Sequence, residues 1–178
     1  MAGDIDLFDS LKAGLQSSER FQKTVWATKT LEAEGSYTAD DVISNSDTNG
    51  VGTAWEWDFE DSGEITGCLV VHATTGIEPR IDIQLYSKYP TCELDDNTEG
   101  TGPVTADVPY YLGTIENAAL KDIGTAGLSH RTTTTSTVGG LPISHWCKKI
   151  YGVVMTRTTV DFLDDTLLSI GLVSRRDR

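Results

Sequence analysis

The sequence predicts an all-β domain, a two-sheet jelly-roll sandwich of about eight strands with an N-terminal arm or short helix. Three observations lead there. Threonine is the outstanding residue, 24 of 178, and together with 17 glycines it lowers helix propensity, while its β-branch suits a pleated surface. From residue 22 onward, apolar and polar residues alternate with a period of two. The alternating stretches are short and unevenly spaced, with no fixed repeat, which favours two packed sheets over a propeller or solenoid.

The elements follow in order. In residues 1–22, Ile5, Phe8, Leu11 and Leu15 recur at three- and four-residue steps, which gathers them on one helical face. Asp4 or Asp6 is placed to cap such a helix, whereas Gly14 and Ser17-Ser18 weaken it. Two roles stay open for this segment: an arm packing on a neighbour, or a helix capping its own barrel. Residues 23–178 form the jelly-roll body, its first strand drawn from 22–31. Trp55, Trp57 and Phe59 alternate with Glu56 and Asp58, as a strand with one buried face should. After the Asp61-Ser62-Gly63 turn, Ile65, Gly67, Leu69 and Val71 continue the pattern. Ile81, Ile83 and Leu85 alternate with Asp82 and Gln84, the cleanest period-two segment in the chain. Residues 89–108 are acidic, rich in turn formers and flanked by Pro90 and Pro109, and read as a long connection with one helical turn at 104–107. Further strands are expected at 110–115, 128–135, 149–157 and 166–174.

Composition excludes several classes of partner. The net charge of −13 argues against direct contact with a nucleic-acid backbone, which needs a basic stripe. No run of 18 apolar residues exists, so no membrane span is expected. The N-terminus opens with acids, unlike a secretory signal. Three cysteines, Cys68, Cys92 and Cys147, lack CxxC spacing and read as reduced thiols of a chain made in a cytoplasm. Charge is uneven along the chain. Residues 31–128 hold 19 acids and 3 bases, whereas residues 129–178 hold seven bases and four acids. Either the middle is simply a solvated acidic surface, or the two ends touch an acidic partner while the middle faces water.

A search for chemistry finds little. His72, His130 and His145 include no HxH pair of the cupin type. Cys68 with His72, and His145 with Cys147, supply two ligands each where a structural zinc normally takes four. The run from Asp95 to Gly100 resembles the first half of a calcium loop, but Ala106 stands where the closing Glu belongs, which leaves a weak calcium site near Asp95 and Glu99 or a solvated turn. No nucleophile elbow, phosphate loop or dinucleotide fingerprint appears. Ser129 and His130 are adjacent, the wrong spacing on a strand for a nucleophile and its base. Glu56, Asp58 and Glu60 offer carboxylate pairs of the kind expected by chance in so acidic a chain. The expectation is a protein that is not an enzyme and carries no metal or cofactor. The run from Arg131 to Thr137 is polar on both faces and suits an edge strand or a subunit contact. Trp26, Trp55, Trp57 and Trp146 offer a stacking platform for sugar, although alternation favours core packing for Trp55 and Trp57.

The order of segments carries a resemblance. It runs from Tyr37-Thr38-Ala39-Asp40-Asp41-Val42 through Ile65-Thr66-Gly67-Cys68-Leu69 and Ile81-Asp82-Ile83-Gln84-Leu85-Tyr86. Pro90-Thr91-Cys92-Glu93-Leu94-Asp95-Asp96-Asn97 and Thr105-Ala106-Asp107-Val108-Pro109-Tyr110-Tyr111-Leu112-Gly113 follow, and Leu167-Leu168-Ser169-Ile170-Gly171-Leu172-Val173 closes it. Across 37–116, and more loosely 148–174, this resembles the jelly-roll capsid cement, or decoration, proteins of tailed bacteriophages. The resemblance implies a virion structural protein on the capsid exterior. It also implies a homotrimer that binds the outer surface of an HK97-fold major capsid protein shell and clamps neighbouring capsomers, with no nucleic-acid or membrane partner. On that reading Ile5, Phe8, Leu11, Leu15 and Phe21 of the arm contact the capsid. The alternative is a carbohydrate-binding jelly-roll module of a phage head or tail fibre.

Overall fold

A computed structural model of the chain describes residues 22–31, 35–46, 52–123, 128–134, 140–162 and 166–176. Among these residues the chain forms eleven strands. They are β1 (Gln22–Thr30), β2 (Val42–Ile43), β3 (Trp55–Asp58), β4 (Gly63–His72), β5 (Ile81–Tyr86), β6 (Tyr111–Glu116), β7 (Lys121–Ile123), β8 (Leu128–Thr134), β9 (Ile143–His145), β10 (Lys149–Thr156) and β11 (Leu167–Arg176). One sheet runs β1-β11-β4-β8-β7 with β9 also on β4, and the other runs β2-β10-β5-β6 with β3 also on β10. All the pairings are antiparallel.

Two of the sheet positions are shared. β3 lies along Lys149 to Gly152 of β10, and β2 lies along Val154 and Met155, so β2 and β3 are two pieces of one interrupted strand. β8 and β9 divide β4 in the same way, at Gly67–His72 and Gly63–Ile65. Setting aside the short edge strand β7, eight positions remain. Numbered along the chain, they stand in the order 1-8-3-6 in one sheet and 2-7-4-5 in the other, which is the double Greek key of a jelly roll. The eight segments expected from the sequence fall on these eight positions. β2, β7 and β9 were too short to show a period.

The core lies between the sheets. Trp55 and Trp57 alternate inward as their spacing predicts and stack with ring centroids 6.3 Å apart. Each indole N–H is satisfied by a backbone carbonyl, Trp55 by Ile43 at 2.7 Å and Trp57 by Ile170 at 3.0 Å, so the second bond crosses from sheet to sheet. Ile43, Ile65, Ile83, Leu85, Ile150 and Leu172 fill the space around them.

Three expectations are corrected. On β4 the inward residues after Ile65 are Cys68, Val70 and His72, not Gly67, Leu69 and Val71. The ladder to β11 steps from Val173 opposite Gly67 to Ser174 opposite Ile65, leaving Thr66 unopposed, and this bulge reverses the phase. On β5 all six residues are buried, including Asp82 and Gln84. The cause is the third correction: residues 89–108 are not a solvent loop but fold back over the outer face of β5 and β10. There Cys92, Leu94 and Val104 pack on Val42, Tyr86, Val153 and Met155. The turn expected at 104–107 is present, with the Asp107 N–H donating to the Val104 carbonyl, and it runs on into a 3-10 turn at Val108–Tyr110.

Candidate interaction surface

Many of the basic groups are spent on the chain's own acids. Lys23 lies 3.2 Å from Glu60, Lys149 2.9 Å from Glu56, Arg175 2.5 Å from Glu64 and Arg176 3.0 Å from Asp61. Glu56 also raises the Lys149 ammonium pKa. Arg157 holds both Asp40 and Asp82. Bases from β1, β10 and β11 therefore pair with the acid-rich hairpin of β3 and β4. Such half-exposed pairs contribute about 1 kcal/mol or less each.

The middle of one outer face is neutral, bounded on one side by the Arg175–Glu64 pair and at the β7 edge by Lys121. Residues directly opposite on antiparallel strands share a face, so the registers assemble rows across β1, β11 and β4. The rows are Thr24, Val173 and Gly67; Trp26, Gly171 and Leu69; and Thr28, Ser169 and Val71. None of these positions holds Asp, Glu, Lys or Arg, in a chain of net charge −13. Trp26 is 48% exposed and its indole lies over Gly171, where an added Cβ would come within 2.9 Å of the ring. The glycine lets the ring lie flat on the sheet. At strand and residue spacings, these rows span roughly 300 Å², the size at which an uncharged patch on a soluble domain tends to be functional. Around Val42, Tyr86, Val153 and Met155 the outer face of the other sheet is covered by residues 89–108.

A second exposed cluster stands at the end of that cover. Val108, Tyr110, Tyr111 and Tyr89 are exposed, and the Lys88 ammonium sits 4.8 Å from the Tyr110 ring centre. Buried Asp107 fixes the turn by accepting from the Thr91 N–H at 2.8 Å, the Thr91 hydroxyl at 2.9 Å and the Cys92 N–H at 2.9 Å. Sequence reasoning missed this cluster. The signal was Pro109-Tyr110-Tyr111 after an Asp, a turn that displays aromatic rings.

The arm residues Ile5, Phe8, Leu11, Leu15 and Phe21 lie outside the described residues. The described chain begins at Gln22, the first residue of β1, one residue earlier than the expected body. Of the four tryptophans, Trp55 and Trp57 are core, while Trp26 and Trp146 face solvent.

The candidate ligands serve the fold. Asp96 is no solvated turn residue and no open calcium ligand: its carboxylate accepts from buried Lys29 at 2.7 Å, from the Tyr37 hydroxyl at 2.8 Å and from the Ser44 N–H at 2.7 Å. His72 bonds the Thr166 hydroxyl at 3.0 Å and His145 the Ser174 hydroxyl at 2.9 Å, each tying β4 or β9 to the β11 side of the sheet. Ser129 donates to the Thr74 carbonyl and to Asp122. Those contacts, with the Gly76 N–H, hold the Asp122 carboxyl below its ordinary range. Among the described residues no three His, Cys, Asp or Glu side chains group as metal ligands. Burial pushes the Cys68 thiol up to about 12 and raises Cys92 and Cys147, so all three are protonated at neutral pH. Arg131 to Thr134 pair with β4 and, among the described residues, with no strand on their other side, as expected for an edge.

No protein-family model matches the chain, and no curated protein does. Among solved structures it is similar to a chain of the Triatoma virus empty capsid, at 11% identity and a TM-score of 0.21, covering 88% of this chain and 69% of that one. A likeness of that size carries no argument about function. The jelly-roll assignment rests on the strand order itself. No helix among the described residues is long and apolar enough to cross a membrane.

Proposed function

We propose that this chain is a virion structural protein, a capsid cement subunit that trimerises and binds the outside of an HK97-fold coat shell without catalysing a reaction. The observation that carries the reading is the neutral strip around Trp26 on β1, β11 and β4, bounded by the Arg175–Glu64 pair, on an acidic body. Adhesion between large surfaces needs an apolar, flat, pre-formed area rather than an activated side chain. The rows around Trp26 supply one, and residues 1–21 precede β1 in the chain. At about 25 cal/mol per Å² of apolar area, a face of this size contributes several kcal/mol before ordering costs. Three copies acting together multiply that through avidity. The resemblance across 37–116 points to the same role, and the acidic hairpin of β3 and β4 then faces solvent outside the shell.

Trp26→Asp tests the face. Because Trp26 is half-exposed on an outer row, the body should fold, while binding to coat shells in a co-sedimentation assay should weaken about tenfold or more. Deleting residues 1–21, which leaves β1 whole, should weaken binding independently. Unchanged binding by both variants contradicts the reading. Exposed Trp26 and Trp146 also keep the carbohydrate-binding alternative specific: saturable glycan binding lost in Trp26→Ala or Trp146→Ala would favour it.

A further inference from the structure

We propose that Lys29 and Asp96 are poised to form an intramolecular isopeptide bond, a covalent tie between β1 and the loop that follows β5. The Lys29 ammonium and the Asp96 carboxylate are both buried, with side chains 1% and 5% exposed, and stand 2.7 Å apart at Oδ1. The surroundings are arranged for condensation. Tyr37 donates to Oδ2 at 2.8 Å, the position where negative charge develops when an amine adds to the carboxyl carbon. Lys29 and the Ser44 N–H both engage Oδ1, which marks it as the leaving oxygen. Passage of one proton from Nζ to Oδ1 within the buried contact gives an amine and a carboxylic acid. The Nζ lone pair then forms the Nζ–Cγ bond. The Cγ–Oδ1 bond breaks, and Oδ1 departs with a further Nζ proton as water. Ammonium and carboxylate become amide plus one water, with no oxidant or co-reactant. The fold supplies the proximity that makes such a step effectively unimolecular.

If the chain binds a shell as proposed above, the bond falls on the strand that takes the load. β1 is an edge strand held by β11, and it carries Trp26 and adjoins the arm. The loop bearing Asp96 is itself laced to β2: the Asn97 N–H donates to the Val42 carbonyl, and the Val42 N–H to the Thr98 carbonyl. A Lys29–Asp96 amide therefore links one sheet to the other and stops β1 from peeling when its outer face is pulled.

The intact mass of the purified full-length chain, read after denaturation, tests this without any shell. The expected mass is lower than the sequence mass by one water. Trypsin should spare Lys29 and release a branched product joining residues 24–80 to residues 89–121. Lys29→Arg should restore the full mass, and Tyr37→Phe should slow the approach to the lighter form. A wild-type chain that keeps its full sequence mass through prolonged incubation overturns the proposal. So does a water loss that persists in Lys29→Arg.

Discussion

At the residue scale, two glycines under tryptophans make opposite predictions. A Cβ on Gly152 would meet the Trp57 ring at 2.6 Å, and Trp57 is walled in by both sheets. A Cβ on Gly171 would meet the Trp26 ring at 2.9 Å, but that ring has solvent above it. Gly152→Ala should therefore cost about 1–3 kcal/mol in urea unfolding, whereas Gly171→Ala should cost less and act mainly by tilting Trp26 off the binding face. Equal costs would show that Trp26 is as confined as Trp57. His72 sets the pH dependence. Burial lowers its pKa from the ordinary 6.5, so the unfolded chain takes up a proton that the folded chain refuses. Its contribution is present above pH 6.5 and is lost as pH falls through the folded value. Unfolding midpoints at pH 7.5 and 5.5 should differ by less in His72→Gln than in the wild type, and equal differences would contradict this assignment.

At the element scale, legibility followed strand length. Ten-residue β4 and β11 and the Trp55-Trp57 alternation could be read because each repeats its period several times. β2 and β9, at two and three residues, exist only because β10 and β4 leave ladder sites for them. The bulge at Thr66 was hidden because it is a property of two strands at once, and the sequence of β4 alone runs on smoothly. The cover formed by residues 89–108 was hidden for a different reason. Its apolar residues, Cys92, Leu94 and Val104, are sparse among acids, and their partners Val153 and Met155 lie some fifty residues away. Of the face proposed to bind, Trp26 was visible, but the neutral rows across β1, β11 and β4 became visible only once the registers were known. Asp107 tests how the cover is held. Asp107→Ala strands three donors at a buried site and should destabilise the protein by about 2–3 kcal/mol. It should also speed amide exchange at Thr91 and Cys92. Exchange unchanged at those amides would mean that packing alone retains the cover.

At the scale of the whole molecule, the sandwich is asymmetric. One sheet has part of its outer face covered by the chain's own loop, and the other presents the neutral rows around Trp26. Charge follows the same division, since the acids gather on the β3–β4 hairpin and the bases that pair with them come from the two ends of the chain. On the proposed function, such a body would meet its partner through the rows around Trp26. Electron cryomicroscopy of HK97-fold shells mixed with the full-length protein tests that picture most directly. The account predicts trimeric density added on the outer surface at three-fold and quasi-three-fold positions, with the sheet of β1, β11, β4 and β8 turned toward the coat. Shells that gain no density, or that hold the protein through its acidic hairpin, would contradict it.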